Sequence, residues 1–149
     1  MKKTLGKALS LFLCVIMLAT MAIGSVTSYA EYIKSPDEYE YKIGENTIYY
    51  RIINNEVTIS GCNDDTYGEL VIPEKINNIP VRYIGDNAFW SCPDLTSVSL
   101  PDGVTSIGDS SFLGCSSLTN ITFPNQVTII GDGAFMFCTG LTNLSLIHI

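Results

Sequence analysis

The 149-residue sequence predicts an α/β-type solenoid, rich in β structure, with an N-terminal β-hairpin as its cap. Three observations carry that class. First, one phrase recurs: Ile84-Gly-Asp-Asn-Ala-Phe89-Trp-Ser-Cys92, Ile107-Gly-Asp-Ser-Ser-Phe112-Leu-Gly-Cys115 and Ile130-Gly-Asp-Gly-Ala-Phe135-Met-Phe-Cys138. The step is 23 residues between glycines, phenylalanines and cysteines alike, and a fixed period in the twenties means one short unit stacked on copies of itself. Second, the phrases are joined by Leu95-Thr-Ser-Val-Ser-Leu100-Pro101 and Leu118-Thr-Asn-Ile-Thr-Phe123-Pro124, and Leu141-Thr-Asn-Leu-Ser-Leu146 follows the third. Apolar residues there alternate with Ser or Thr, the period of a half-buried strand. Third, a second extended piece precedes each glycine, Val104-Thr-Ser-Ile107 and Val127-Thr-Ile-Ile130.

Each repeat is therefore expected to hold a short parallel strand, a second extended segment and a short helical turn. Pro101 and Pro124 end the strands because proline has no N–H to give the ladder. Asp86, Asp109 and Asp132 are placed to cap the helical turn, and the glycines before them to allow a tight bend. Phe89, Phe112, Phe135, Cys92, Cys115, Cys138, Leu95, Leu118 and Leu141 are the expected repeat core.

This combined motif resembles the BspA-like leucine-rich repeat family of bacterial surface proteins, over about Gly68 to Leu146. The resemblance implies a curved right-handed solenoid with a parallel sheet on one face. It also implies extracellular binding or adhesion without catalysis, and it names no partner.

Taken in order, residues 1–30 read as a signal peptide. Lys2, Lys3 and Lys7 precede an apolar run from Ala8 to Ile23, and Ser28-Tyr29-Ala30 offers a small-x-small cleavage site. A retained anchor is the competing reading, but the run is short for a bilayer, so no membrane insertion is expected after cleavage. The remainder carries five basic and fifteen acidic residues, a net charge of −10, which argues against nucleic acid and anionic membranes as partners.

Residues 31–68 are the expected β cap. Glu31 to Glu45 reads as a polar, partly loose stretch; Thr47–Ile53 and Glu56–Ser60 flank Asn54-Asn55 as a hairpin. Cys62 to Gly68 is a loop whose Asn63, Asp64 and Asp65 lack the alternation of a calcium loop. Residues 69–146 hold about three repeats, the last incomplete. The first carries five extra residues within Glu74 to Val81, expected to bulge as a loop. Ile147-His-Ile149 leaves the repeat phase where proline is due. Leu144 to Ile149 also matches one reading frame of a transposase adapter, so 147–149 are expected to be a non-native tail and further repeats to follow in a longer protein.

Chemistry finds little support. The single histidine, His148, lies in that tail, and no nucleophile–base arrangement, phosphate loop or zinc spacing occurs, so no catalytic, cofactor or metal residues are assigned. The ladder cysteines have parallel Cβ vectors and are read as buried thiols, while Cys62 has no assigned partner; with four cysteines after residue 30 a bridge is open but not indicated. Two surfaces are candidates for an extracellular protein or glycan. One is the strand face of Glu69, Val71, Ser97, Ser99, Asn120 and Thr122, small and nearly uncharged. The other is the row after each Phe, Trp90, Leu113 and Met136, with Phe137 beside it. That row is either a contact patch or packing against the next turn. The function expected is a surface module for protein binding or adhesion; the alternative is a structural spacer displaying a further C-terminal domain, which could be an enzyme.

Overall fold

A computed structural model describes residues 37–142. The signal segment, the third strand beyond 142 and the tail lie outside the described residues. Two sheets run along the stack. The first is seven-stranded, in the order β1 (Glu38–Ile43), β2 (Asn46–Ile53), β3 (Glu56–Cys62), β6 (Ile79–Ile84), β8 (Ser106–Ile107) and β10 (Ile129–Ile130), with β5 (Lys75–Ile76) paired to β6. The second holds β4 (Gly68–Val71), β7 (Leu95–Ser99) and β9 (Asn120–Thr122).

The solenoid sheets are parallel and keep the repeat register: Val98 faces Leu70 and Ile121, while Ile107 faces Ile84 and Ile130. Every coil thus gives one strand to each sheet, and the sides facing inward fill the core. Leu70, Val98, Ile84, Ile107, Phe89, Phe112, Leu95 and Leu118 are essentially inaccessible. The phenylalanines form a column. Phe112 stacks on Phe89 at 5.0 Å and 9° and on Phe135 at 5.3 Å and 7°, and Phe123 meets Phe135 edge-on. Cys92, Cys115 and Cys138 are buried beside them, whereas Phe135 and Leu141 are only partly buried, since no described coil stacks beyond theirs.

The short helical turn is a correction: no helix occurs among the described residues. Asn87, Ser110 and Gly133 share one phase of the repeat and have φ of 58°, 53° and 63°. A left-handed residue two places after each glycine stops a helix before its first full turn. Successive tight turns form instead, as Ala88 donates to the Gly85 carbonyl and Trp90 to that of Asn87. The N–H groups between them point along the stack: Asn87, Phe89 and Ser91 donate to the carbonyls of Asp109, Ser111 and Leu113.

The aspartates do not cap helices either. Asp86 Oδ1 accepts the N–H of Asp109 at 2.9 Å, and Asp109 Oδ1 that of Asp132 at 2.8 Å, so the row ties coil to coil. Glycine is required beside them by close approach rather than by φ. A Cβ on Gly108 would lie 2.6 Å from Asp86 N and 2.7 Å from Gly85 C, and Gly131 repeats the arrangement against Asp109 and Gly108. Threonines add further rungs: Thr105, Thr119, Thr128 and Thr139 each donate a hydroxyl to a carbonyl 23 residues earlier.

The cap is larger than a hairpin. The stretch expected to be loose contains β1, which pairs antiparallel with β2 across Gly44 and Glu45. Its buried Glu38 accepts from Ser60 and sits 3.6 Å from Arg51, partners that a polar side chain needs to leave water. Asn54 and Asn55, both at positive φ, close β2 on β3 as a primed hairpin turn does. Strand β3 then pairs in parallel with β6, so the last cap strand stands where a preceding coil's strand would be. The Asn46 side chain bonds both the carbonyl and the N–H of Tyr67, holding the start of β4. The extra residues at 74–81 are likewise no loose loop: Asn77 and Asn78, at φ 52° and 65°, turn β5 back on β6. Ile76 is buried, and Asn77 donates to the Tyr50 hydroxyl at 3.0 Å.

Candidate functional surface

The turn segments carry the apolar row. In each coil the two residues at Ala88-Phe89, Ser111-Phe112 or Ala134-Phe135 turn inward, and the next side chain turns out. Trp90 is 60% exposed and Met136 51%, while Leu113 between them is half-buried. The bonds from Ser91 to the Leu113 carbonyl and from Gly114 to the Met136 carbonyl hold these three positions on consecutive rungs. Phe137 stands beside Met136, 64% exposed in the last described coil. Its φ is +61°, in a phase of the repeat otherwise filled by Ser91 at 58° and Gly114 at 79°. A bulky side chain in the left-handed region costs roughly 1–2 kcal/mol, and local strain of this kind gathers at functional positions. Four residues before each row position lies an exposed aspartate, Asp86, Asp109 or Asp132, forming a second row along the stack.

The strand face is different in character. Glu69, Asn120 and Thr122 are exposed, Ser97 and Ser99 half-buried, and Val71 is 53% exposed at the edge of β4. Part of its polarity is already used along the stack, since Thr122 donates to the Ser99 hydroxyl at 3.3 Å.

Burial and hydrogen bonding separate the cysteines. Burial pushes the Cys115 thiol up to about 12 and raises that of Cys138, and each donates to a carbonyl of the preceding coil, Phe89 at 3.1 Å and Phe112 at 3.0 Å. Cys92 instead meets Cys62, with 2.9 Å between the sulfurs. A hydrogen bond from Cys92 holds the Cys62 thiol below its ordinary value, against the effect of burial, and the same bond raises Cys92. Sequence reasoning missed this pair because Cys62 stands outside the repeat phase; its only signal was a cysteine in the cap with no role. Among the described residues no group of three or more His, Cys, Asp or Glu could hold a metal ion, and no helix is long and apolar enough to cross a membrane.

Comparison with known proteins places the repeats. The family model described as BspA type leucine rich repeat region (6 copies) matches residues 82–148. A leucine rich repeat protein of T. pallidum is 31% identical, with a TM-score of 0.59, over 62% of this chain and 44% of that one. A leucine rich cell surface protein of Faecalibacterium prausnitzii is 34% identical, with a TM-score of 0.61, over 74% of this chain and 31% of that one. A leucine-rich repeat protein of Bacteroides capillosus is 27% identical, with a TM-score of 0.59, over 68% of this chain and 78% of that one. The chain thus spans less than half the length of the first two. No curated protein matches it. The 23-residue register, the two parallel sheets and these similarities lead to one assignment: residues 82–148 are repeats of the BspA leucine-rich type.

Proposed function

We propose that the protein is an exported binding module of the bacterial cell surface, which adheres to another extracellular protein through the Trp90, Leu113, Met136 and Phe137 strip. Export follows from the signal-peptide pattern of residues 1–30. The observation that carries the choice of surface is Phe137. A phenylalanine held at positive φ carries a backbone strain that offsets the contact of its buried third, yet it displays an aromatic ring to solvent. Aromatic anchors dominate protein interfaces. The exposed aspartate row and the acidic net charge favour a partner whose apolar pocket is rimmed by Lys or Arg. The strand face, with part of its hydroxyls bonded along the stack, offers a weaker grip on a glycan.

The test compares attachment of surface-displayed protein to immobilised extracellular proteins for the original sequence, Trp90→Ser, Phe137→Gly and Thr122→Ala. Attachment should fall for the two strip variants and persist for Thr122→Ala, with melting temperatures nearly unchanged. Undiminished attachment of the Trp90→Ser, Phe137→Gly double variant would refute the reading.

A further inference from the structure

We propose that Cys62 and Cys92 form a disulfide that fastens the cap to the first coil. Cys62 ends β3 and is half-buried; Cys92 is buried in the first turn segment, 30 residues later, with its sulfur 2.9 Å away. The repeat itself explains why the pair arises there. Cys115 and Cys138 spend their thiols on the carbonyls of Phe89 and Phe112, one coil back. Cys92 is the first rung, and the neighbour it meets on the cap side is a sulfur instead of such a carbonyl. Among the described residues, the bridge therefore joins the one ladder cysteine that lies at the boundary to the one cysteine that belongs to no ladder.

The reaction needs an oxidant, here a small-molecule or protein disulfide. The accessible Cys62 thiolate attacks that disulfide, forming a mixed disulfide and releasing one thiolate. Cys92 gives up its proton and attacks the Cys62 sulfur, which releases the second thiol. Two protein thiols and one external disulfide thus become one internal disulfide and two external thiols. The lowered Cys62 thiol suits it to the first step, and the buried Cys92 to the second. Solenoids open from their ends, because a terminal repeat has a neighbour on one side only. A covalent tie across the cap boundary closes that route.

The experiment uses the full chain carrying Cys14→Ser, oxidised with glutathione disulfide, unfolded without reductant, alkylated and digested with chymotrypsin. Mass spectrometry should show a Cys62–Cys92 linked peptide, with Cys115 and Cys138 alkylated. Reduction should lower the melting temperature by roughly 10 °C, and Cys62→Ser, a near-isosteric change at a half-buried site, should abolish that difference. Four alkylated thiols, glutathione retained on Cys62, or a bridge from Cys62 to Cys115 would each overturn the proposal.

Discussion

Truncating the middle of the phenylalanine column is the most direct trial of the packing argument. Phe112 is fully buried and stacked on both sides, by Phe89 at 5.0 Å and Phe135 at 5.3 Å. Replacing it with alanine removes a ring that no neighbour can substitute, because both flanking rings are fixed by the coil spacing. The transfer and cavity costs together come to about 3–5 kcal/mol. Stacked aromatic pairs contribute about 0.5–1.5 kcal/mol each, which puts Phe112 near the top of that range. A domain of this size loses about 4 °C per kcal/mol, so Phe112→Ala should lower the melting temperature by roughly 12–20 °C. Phe89→Ala should cost somewhat less, since Phe89 has one stacking partner among the described residues, and Phe135→Ala least, since that ring is partly exposed. Thermal unfolding followed by circular dichroism measures all three beside Trp90→Ser. A fall of under 4 °C for Phe112→Ala, or one no greater than for Trp90→Ser, would refute the column as the centre of the core.

Other expectations concern the rows beside that column. Gly108→Ala should destabilise by about 1–3 kcal/mol, read by denaturant titration, because the new methyl meets backbone atoms of the preceding coil that cannot swing aside. Asp109→Ala should cost about 1 kcal/mol and Asp109→Asn much less, since the amide oxygen can still accept from Asp132. Ser111 is buried with no partner for its hydroxyl among the described residues, and the other repeats place Ala88 and Ala134 in the same phase. Ser111→Ala should therefore raise the melting point, by the equivalent of about 1 kcal/mol. In the reduced native protein, iodoacetamide should modify Cys62 well before Cys115, whose buried thiol is held far from ionisation.

The repeat was legible because each of its residue types answers to a distance along the stack. A side chain that must fit against its own copy one coil away recurs at the coil length, so Phe, Cys, Gly and Asp revealed the register directly. The same logic misled where two structures demand similar residues. Asp-x-Ala-Phe reads as a helix cap, yet the stack uses the carboxylate for the next coil's N–H, at 2.9 and 2.8 Å. What forbids the helix is the left-handed phase of Asn87, Ser110 and Gly133, and only one of these is a glycine. Strand β1 was illegible for a different reason. Its buried position is Glu38, whose burial depends on Ser60 and Arg51 from other strands, and hydrophobic patterning cannot register a partner 22 residues away.

For a repeat protein, the candidate site is best sought where a phase is filled against the backbone's own preference. Most departures here have a folding reason: Pro80 and the extra hairpin bring Ile76 into the core, and Ser91 and Gly114 tolerate the left-handed bend. Phe137 has none. It occupies that same left-handed phase, exposes 64% of its surface and stands next to an exposed methionine on a row that begins with an exposed tryptophan. Replacing it with glycine would remove a strain of roughly 1–2 kcal/mol, while the flexibility of glycine costs about 0.5–1 kcal/mol and the lost contact of a one-third-buried ring a similar amount. The terms nearly cancel, so folding is indifferent to this ring. The ring therefore stands beside the row of Trp90, Leu113 and Met136 without a folding gain of its own, which is the ground on which the Phe137→Gly test of attachment rests.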